Sequence, residues 1–178
     1  MTAKKRQSCM REREKTMAKA MLICGKIASG KTVYARELAQ REKAVILSVD
    51  EITLRVFGGD LGERHDEIAR RTQAYLFDKS LEVLRCGTSV ILDWGFWTRG
   101  KRGEAWAFYE AHGFSWEMHY VDAPEDIWER NIEKRNADVL AGKTQAYLVD
   151  QGLREKLEAA FEAPERREID VWYVNRWK

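Results

Sequence analysis

A chain of 178 residues, 44% hydrophobic and 34% charged, can bury a sizeable core without disulfide or metal support. A net charge of +2 is too small to argue for nucleic acid; the cysteines, Cys9, Cys24 and Cys86, share no metal-ligand spacing and suit a reducing cytosol. No apolar stretch approaches a membrane span and no apolar secretory core precedes residue 20, so a cytoplasmic setting away from membrane is expected.

Residues 1–18 are polar and basic, with seven basic against two acidic residues between Lys4 and Lys19. They read as a disordered or loosely helical extension; a nucleic-acid-binding arm is the sharper alternative, and initiation at Met17 or Met21 is a third reading. Residues 19–178 read as one domain in which apolar runs alternate with helical periodicity, the signature of βαβ units. Strands are predicted at Ala20–Cys24, Ala44–Val49, Ser89–Asp93, Trp116–Val121 and Val171–Val174. Between them fall helices at Lys31–Gln40, Glu51–Val56, Glu63–Cys86 (closed by Gly87) and Thr98–His112 (ended by Gly113). Pro124 opens Glu125–Leu140, and Pro164 stops Tyr147–Ala163. The fold class is α/β, with helices sandwiching a central parallel sheet.

Residues 25–32, Gly-Lys-Ile-Ala-Ser-Gly-Lys-Thr, match G-x-x-x-x-G-K-[ST] between a predicted strand and a predicted helix. The glycines let the backbone curl so that N–H groups point inward, and the helix presents its positive end to an anion. Gly25, Lys26, Ala28, Ser29 and Gly30 are therefore expected to cradle the phosphates of a nucleoside triphosphate. Lys31 would reach the β- and γ-phosphates, and the Thr32 hydroxyl would hold Mg²⁺.

Ligands of open α/β sheets lie beyond the carboxyl ends of the strands. Three predicted strands end in carboxylates there: Asp50, Asp93 and Asp122. Asp93, after Val90-Ile91-Leu92, suits the Mg²⁺ shell, or else a turn or cap. Asp50 could position an attacking hydroxyl and accept its proton, or else cap the helix after it. Asp122 reads as a cap before Pro124. Arg130, Lys134 and Arg135 offer cations for a transferring phosphoryl group, or a salt-bridged surface helix with Glu129 and Glu133. Ala141-Gly142-Lys143-Thr144 gives that element the flexibility of a lid. The segment from Trp94 to Arg102 is rich in aromatics and cations. Trp97 and Arg99 within it, with Arg55, are expected to bind the second substrate; a loop packed on its own aromatics is the plainer reading. His65, His112 and His119 receive no role.

The blocks Gly25–Thr32, Ser48–Ile52, Ile91–Arg99, and Tyr120–Pro124 with the arginine-bearing helix resemble, in order and spacing over about residues 20–175, the AAA-type P-loop kinases. These are the kinases related to polynucleotide 5′-kinases, zeta toxins and chloramphenicol phosphotransferases. The resemblance implies a three-layer P-loop fold of the small-kinase type, with five parallel strands and the P-loop strand beside that of Asp93. It implies Asp50 as general base and Arg130 and Arg135 as lid arginines. The expected activity is transfer of the γ-phosphoryl of ATP, with Mg²⁺, to a hydroxyl of a small molecule or of a nucleotide or nucleic-acid end. Nucleic acid is the less favoured acceptor. A P-loop NTPase acting as an ATP-driven switch with a protein partner is the alternative.

Overall fold

Five apolar runs become parallel strands, β1 (Lys19–Cys24), β2 (Val45–Leu47), β3 (Val90–Gly95), β4 (Ser115–Asp122) and β5 (Val171–Val174). They form one sheet in the order β2-β3-β1-β4-β5, every pairing parallel. The computed structural model describes residues 18–58, 61–144 and 146–176, so the expected extension lies, but for Ala18, outside the described residues. Central β1 is apolar from Ala20 to Cys24 because both its faces are covered. Ala20, Leu22 and Cys24 meet α3 (His65–Arg85) and α4 (Arg99–Ala111) on one side. Met21 and Ile23 meet α1 (Lys31–Glu42) on the other. Helix α2 (Val49–Phe57) follows β2, α5 (Glu125–Leu140) follows β4, and α6 (Gln151–Ala160) precedes β5. Short 3₁₀ turns occupy Gly62–Arg64 and Arg166–Glu168. Among the described residues no helix is long and apolar enough to cross a membrane.

Most predicted boundaries shift by a residue or more, and three of the shifts have a clear local reason. The second strand stops at Leu47 instead of Val49, because the Ser48 hydroxyl accepts the Glu51 N–H at 3.3 Å and starts α2 at Val49. The third runs past Asp93 to Gly95, with a register shift against β1 that leaves Trp94 as the extra, bulged residue. The last helix runs from Gln151 to Ala160, not from Tyr147 to Ala163, and so ends at a Phe161 cap before Pro164 is reached. Asp150 caps its start through the Leu153 N–H at 2.7 Å, while Asn136 takes both backbone groups of Val149 in hydrogen bonds of 2.8 and 2.9 Å.

Candidate active site

The carboxyl end of β1 runs into the glycine-rich loop. Gly25 has φ 152°, and a Cβ there would stand 2.6 Å from the Val121 carbonyl oxygen of β4, so only glycine passes. Gly30, at φ 97°, starts α1 with no side-chain cap, leaving its first N–H groups for an anion. Lys31 Nζ donates to the carbonyl oxygens of Gly25, at 3.0 Å, and of Lys26. Donors from elsewhere take the next three carbonyls. Trp128 Nε1 reaches Ile27 O at 2.6 Å, Asn131 Nδ2 reaches Ala28 O at 3.0 Å, and Asn175 Nδ2 reaches Ser29 O at 2.9 Å.

At the second residue of α1, Thr32 Oγ1 donates to Asp93 Oδ2 at 2.8 Å. Burial raises the Asp93 carboxyl above its ordinary range, opposed chiefly by Lys31 and by the Thr32 bond. Burial likewise lowers the Lys31 ammonium, which Asp93 and then Asp50 pull back. A hydroxyl beside one carboxylate fits Mg²⁺, which takes few protein oxygens and completes its shell with water and phosphate. Among the described residues no cluster of three or more His, Cys, Asp or Glu offers a fuller cage.

Asp50 stands exposed in the first turn of α2, two residues past the Ser48 cap rather than at a strand end or as a cap itself. Its charge acts on Lys31, on Asp93 and on Arg135. Arg135 is half-buried on α5; burial lowers its guanidinium, against the pull of Asp50, and its Nε donates to Tyr147 O at 3.1 Å. The Tyr147 hydroxyl lies 3.4 Å from Thr53 Oγ1, and its ring meets His65 edge-on at 5.6 Å. The structure thus gathers Lys31, Thr32, Asp93, Asp50 and Arg135. Sequence reading overlooked Tyr147, Thr53 and His65 beside them, because no local pattern marks residues that meet only through packing.

Other expected residues stand elsewhere. Arg130 is exposed and paired with Asp126 at 3.1 Å; five residues separate it from Arg135, about 140° around the helix, so the two cannot face one site. Arg55 is likewise exposed and pairs with Glu51 at 3.1 Å. Arg99 is engaged by Glu165 and Glu168 at 3.2 and 3.3 Å, and its N–H donates to Glu162. Trp97 lines a cleft with Lys26, Ile27, Trp128, Leu157 and Phe161, in the company of the P-loop and α6. The cause is Arg102, 1% exposed, which pairs with Glu168 at 2.9 Å and donates to Phe96 O and Glu162 O, tying this loop to the C-terminal segment. Asp122 caps no helix: it accepts Tyr120 Oη at 3.3 Å and Trp172 Nε1 at 3.2 Å, while Pro124 occupies the cap.

A profile of the AAA domain family matches residues 21–164. No curated protein matches the sequence. Among solved structures, a candidate kinase from Chloroflexus aurantiacus j-10-fl aligns with a TM-score of 0.68 at 17% identity, covering 89% of this chain and 88% of its own. The Mycobacterium tuberculosis APS kinase CysC, solved with AMPPNP and APS, aligns at 0.65 and 17%, covering 91% of each chain. A gluconokinase from Sinorhizobium meliloti 1021 aligns at 0.61 and 12%, covering 91% of this chain and 85% of its own. At such identities the likeness is one of fold: an α/β P-loop architecture with a five-stranded parallel sheet.

Proposed function

The chain belongs to the AAA domain family, and from that membership we propose that it is an ATP-dependent phosphotransferase. It would move the γ-phosphoryl group to a hydroxyl of a small molecule or of a nucleotide or nucleic-acid end. One observation carries the reading: directly after the P-loop lysine, Thr32 Oγ1 donates to the buried Asp93 carboxylate at 2.8 Å, and exposed Asp50 in the first turn of α2 adds a second carboxylate within electrostatic reach of Lys31 and Arg135. An NTP site alone needs only the first. A second carboxylate within electrostatic reach of a half-buried arginine suits a base that takes the proton of an acceptor hydroxyl. The kinase names of the structural neighbours support the class.

In this mechanism the loop amides hold the phosphates and Lys31 leaves the carbonyls of Gly25 and Lys26 for the β- and γ-oxygens. Thr32 and Asp93 would hold Mg²⁺, which neutralises phosphate charge. Asp50 orients the acceptor hydroxyl and takes its proton as the new O–P bond forms and the bond to the ADP oxygen breaks. Arg135 stabilises charge on the transferring group.

The test is ADP release with Mg²⁺ across a panel of nucleosides, 5′-hydroxyl oligonucleotides, nucleotide sugars, aminoglycosides and sugar acids. Asp50→Asn keeps the size of the side chain and removes its proton affinity. The expected result is acceptor-dependent release that Asp50→Asn lowers by about 10²–10⁴-fold while ATP still binds. Undiminished turnover in Asp50→Asn would remove Asp50 from the role of base. Steady hydrolysis indifferent to every acceptor would replace the transferase with an ATP-driven switch.

A further inference from the structure

Every carbonyl from Gly25 to Ser29 has a side-chain donor, and Lys26 O also accepts the loop's own Ser29 N–H at 3.3 Å. Lys31 Nζ serves the first two. Trp128, Asn131 and Asn175, from other elements, serve the last three in sequence. We infer that Trp128, Asn131 and Asn175 are positioning residues that hold the loop with its carbonyls outward and its amides turned to the phosphates. The inference rests on the reading that this loop holds a nucleotide.

In a planar peptide the C=O and the N–H point in opposite directions. Carbonyls of Ile27 and Ser29 drawn outward therefore turn the N–H groups of Ala28 and Gly30 into the concavity of the loop, where an anion would sit, while the Ser29 N–H behind the Ala28 carbonyl closes the loop on Lys26 O at 3.3 Å. The middle of the three peptides needs the most help, because Ala28 has φ 55°, a conformation alanine rarely adopts. Each donor is itself held. Trp128 is 1% exposed, with Lys26 Nζ 4.7 Å and Arg154 Cζ 4.5 Å from the centre of its ring. Asn175 is fully buried just past β5, its N–H donating to Asp122 O of β4 at 2.7 Å. Asn131 lies three residues from Trp128 and four from Arg135, so one stripe of α5 carries two loop donors and the arginine that feels Asp50.

The experiment is calorimetric titration of the full chain with ADP and Mg²⁺, alongside thermal unfolding without nucleotide. Trp128→Phe keeps an aromatic ring between the two cations and removes the donor. Asn131→Asp keeps the shape and sets a carboxylate against the Ala28 carbonyl. Each is expected to weaken ADP binding about tenfold, the loss of roughly one hydrogen bond's worth of organisation. Asn131→Gln, which keeps the amide, is expected to recover part of it. The double variant should lose less than the product of the single losses, because both release the same loop. Variants that melt lower yet bind ADP as the wild type does would overturn the inference and leave these residues merely structural. If Asn131→Asp does not fold, equal ADP affinity in Trp128→Phe and wild type has the same force. A wild-type protein that binds no ADP would instead overturn the nucleotide reading, and the inference with it.

Discussion

Ala28 carries a backbone conformation that suits glycine, at the crest of a loop that must curl around an anion. The left-handed region costs an L-residue about 1–2 kcal/mol, and glycine's larger unfolded-state entropy returns about 0.4–1 kcal/mol of that. The Ala28 methyl also packs beside Trp128, Ile132 and Val149, which narrows the difference further. Ala28→Gly is therefore expected to stabilise the protein by up to about 1 kcal/mol, read as a higher urea midpoint at constant slope. A lower midpoint would mean that the methyl's packing outweighs its backbone strain. Beneath the same loop, burial pushes the Cys24 thiol up to about 12, so it packs as a small apolar residue rather than acting as a nucleophile.

At the scale of elements, α5 divides the cations among its faces. Trp128, Asn131 and Arg135 follow the i, i+3, i+7 spacing of one stripe, turned to the P-loop and Tyr147. Arg130 projects to solvent, where an exposed i, i+4 pair contributes little. Arg135→Ala is expected to lower kcat by about 10²–10³-fold, the cost of removing one preorganised donor from a transition state. Arg130→Ala should stay within about 0.5 kcal/mol of wild type in stability and leave kcat nearly unchanged. Parallel steady-state kinetics on the two variants decide the assignment, and equal losses would sink it. The segment after β3 shows the opposite outcome for a cation-rich stretch. There the buried Arg102–Glu168 pair, with Arg99 beside it, spends the charges on structure, and Trp94 packs against Phe77 and Phe96 at 5.3 and 5.2 Å.

For the whole molecule, the middle of the sheet, β1, β3 and most of β4, is buried on both faces, and it buries one end of a titratable chain. His119, 2% exposed on β4, lies 2.7 Å from Tyr34 Oη of α1 through Nδ1 and 3.2 Å from Glu117 through Nε2. Glu117 pairs in turn with Lys19 of β1 at 2.6 Å. A carboxylate only accepts, so the neutral ring donates from Nε2 to Glu117 and accepts the Tyr34 hydroxyl at Nδ1. Burial holds the imidazole below its ordinary range, against the pull of Glu117 and Asp170. A histidine depressed in the fold takes a proton in the unfolded chain first. Stability is thus fully present above about pH 6.5 and falls as the pH drops below it. Burial raises Glu117, but its bonds to Lys19 and His119 hold it below the usual carboxylate range, so its share is also lost toward acid. The melting temperature is expected to fall between pH 7 and pH 5, and His119→Gln should flatten that slope. An unchanged slope in the variant would assign the acid sensitivity to other carboxylates.

The direct bond between Thr32 and Asp93 came only with the fold, but the sequence by itself determined the glycine-rich loop, the alternation of strand and helix, and the limits of α5 and β5. These are legible because periodicity, capping and turn chemistry act over a few residues, and a P-loop is one contiguous string. Tertiary structure alone decided that Arg135 and not Arg130 joins Asp50, and that Arg99 and Trp97 turn to the C-terminal segment and α6. It alone brought Tyr147 beside Thr53 and set Asn175 on a carbonyl 146 residues away. Sequence periodicity fixes where a side chain lies around its own helix or strand. Which neighbour covers that face is set by the packing of distant elements, and no local pattern encodes it.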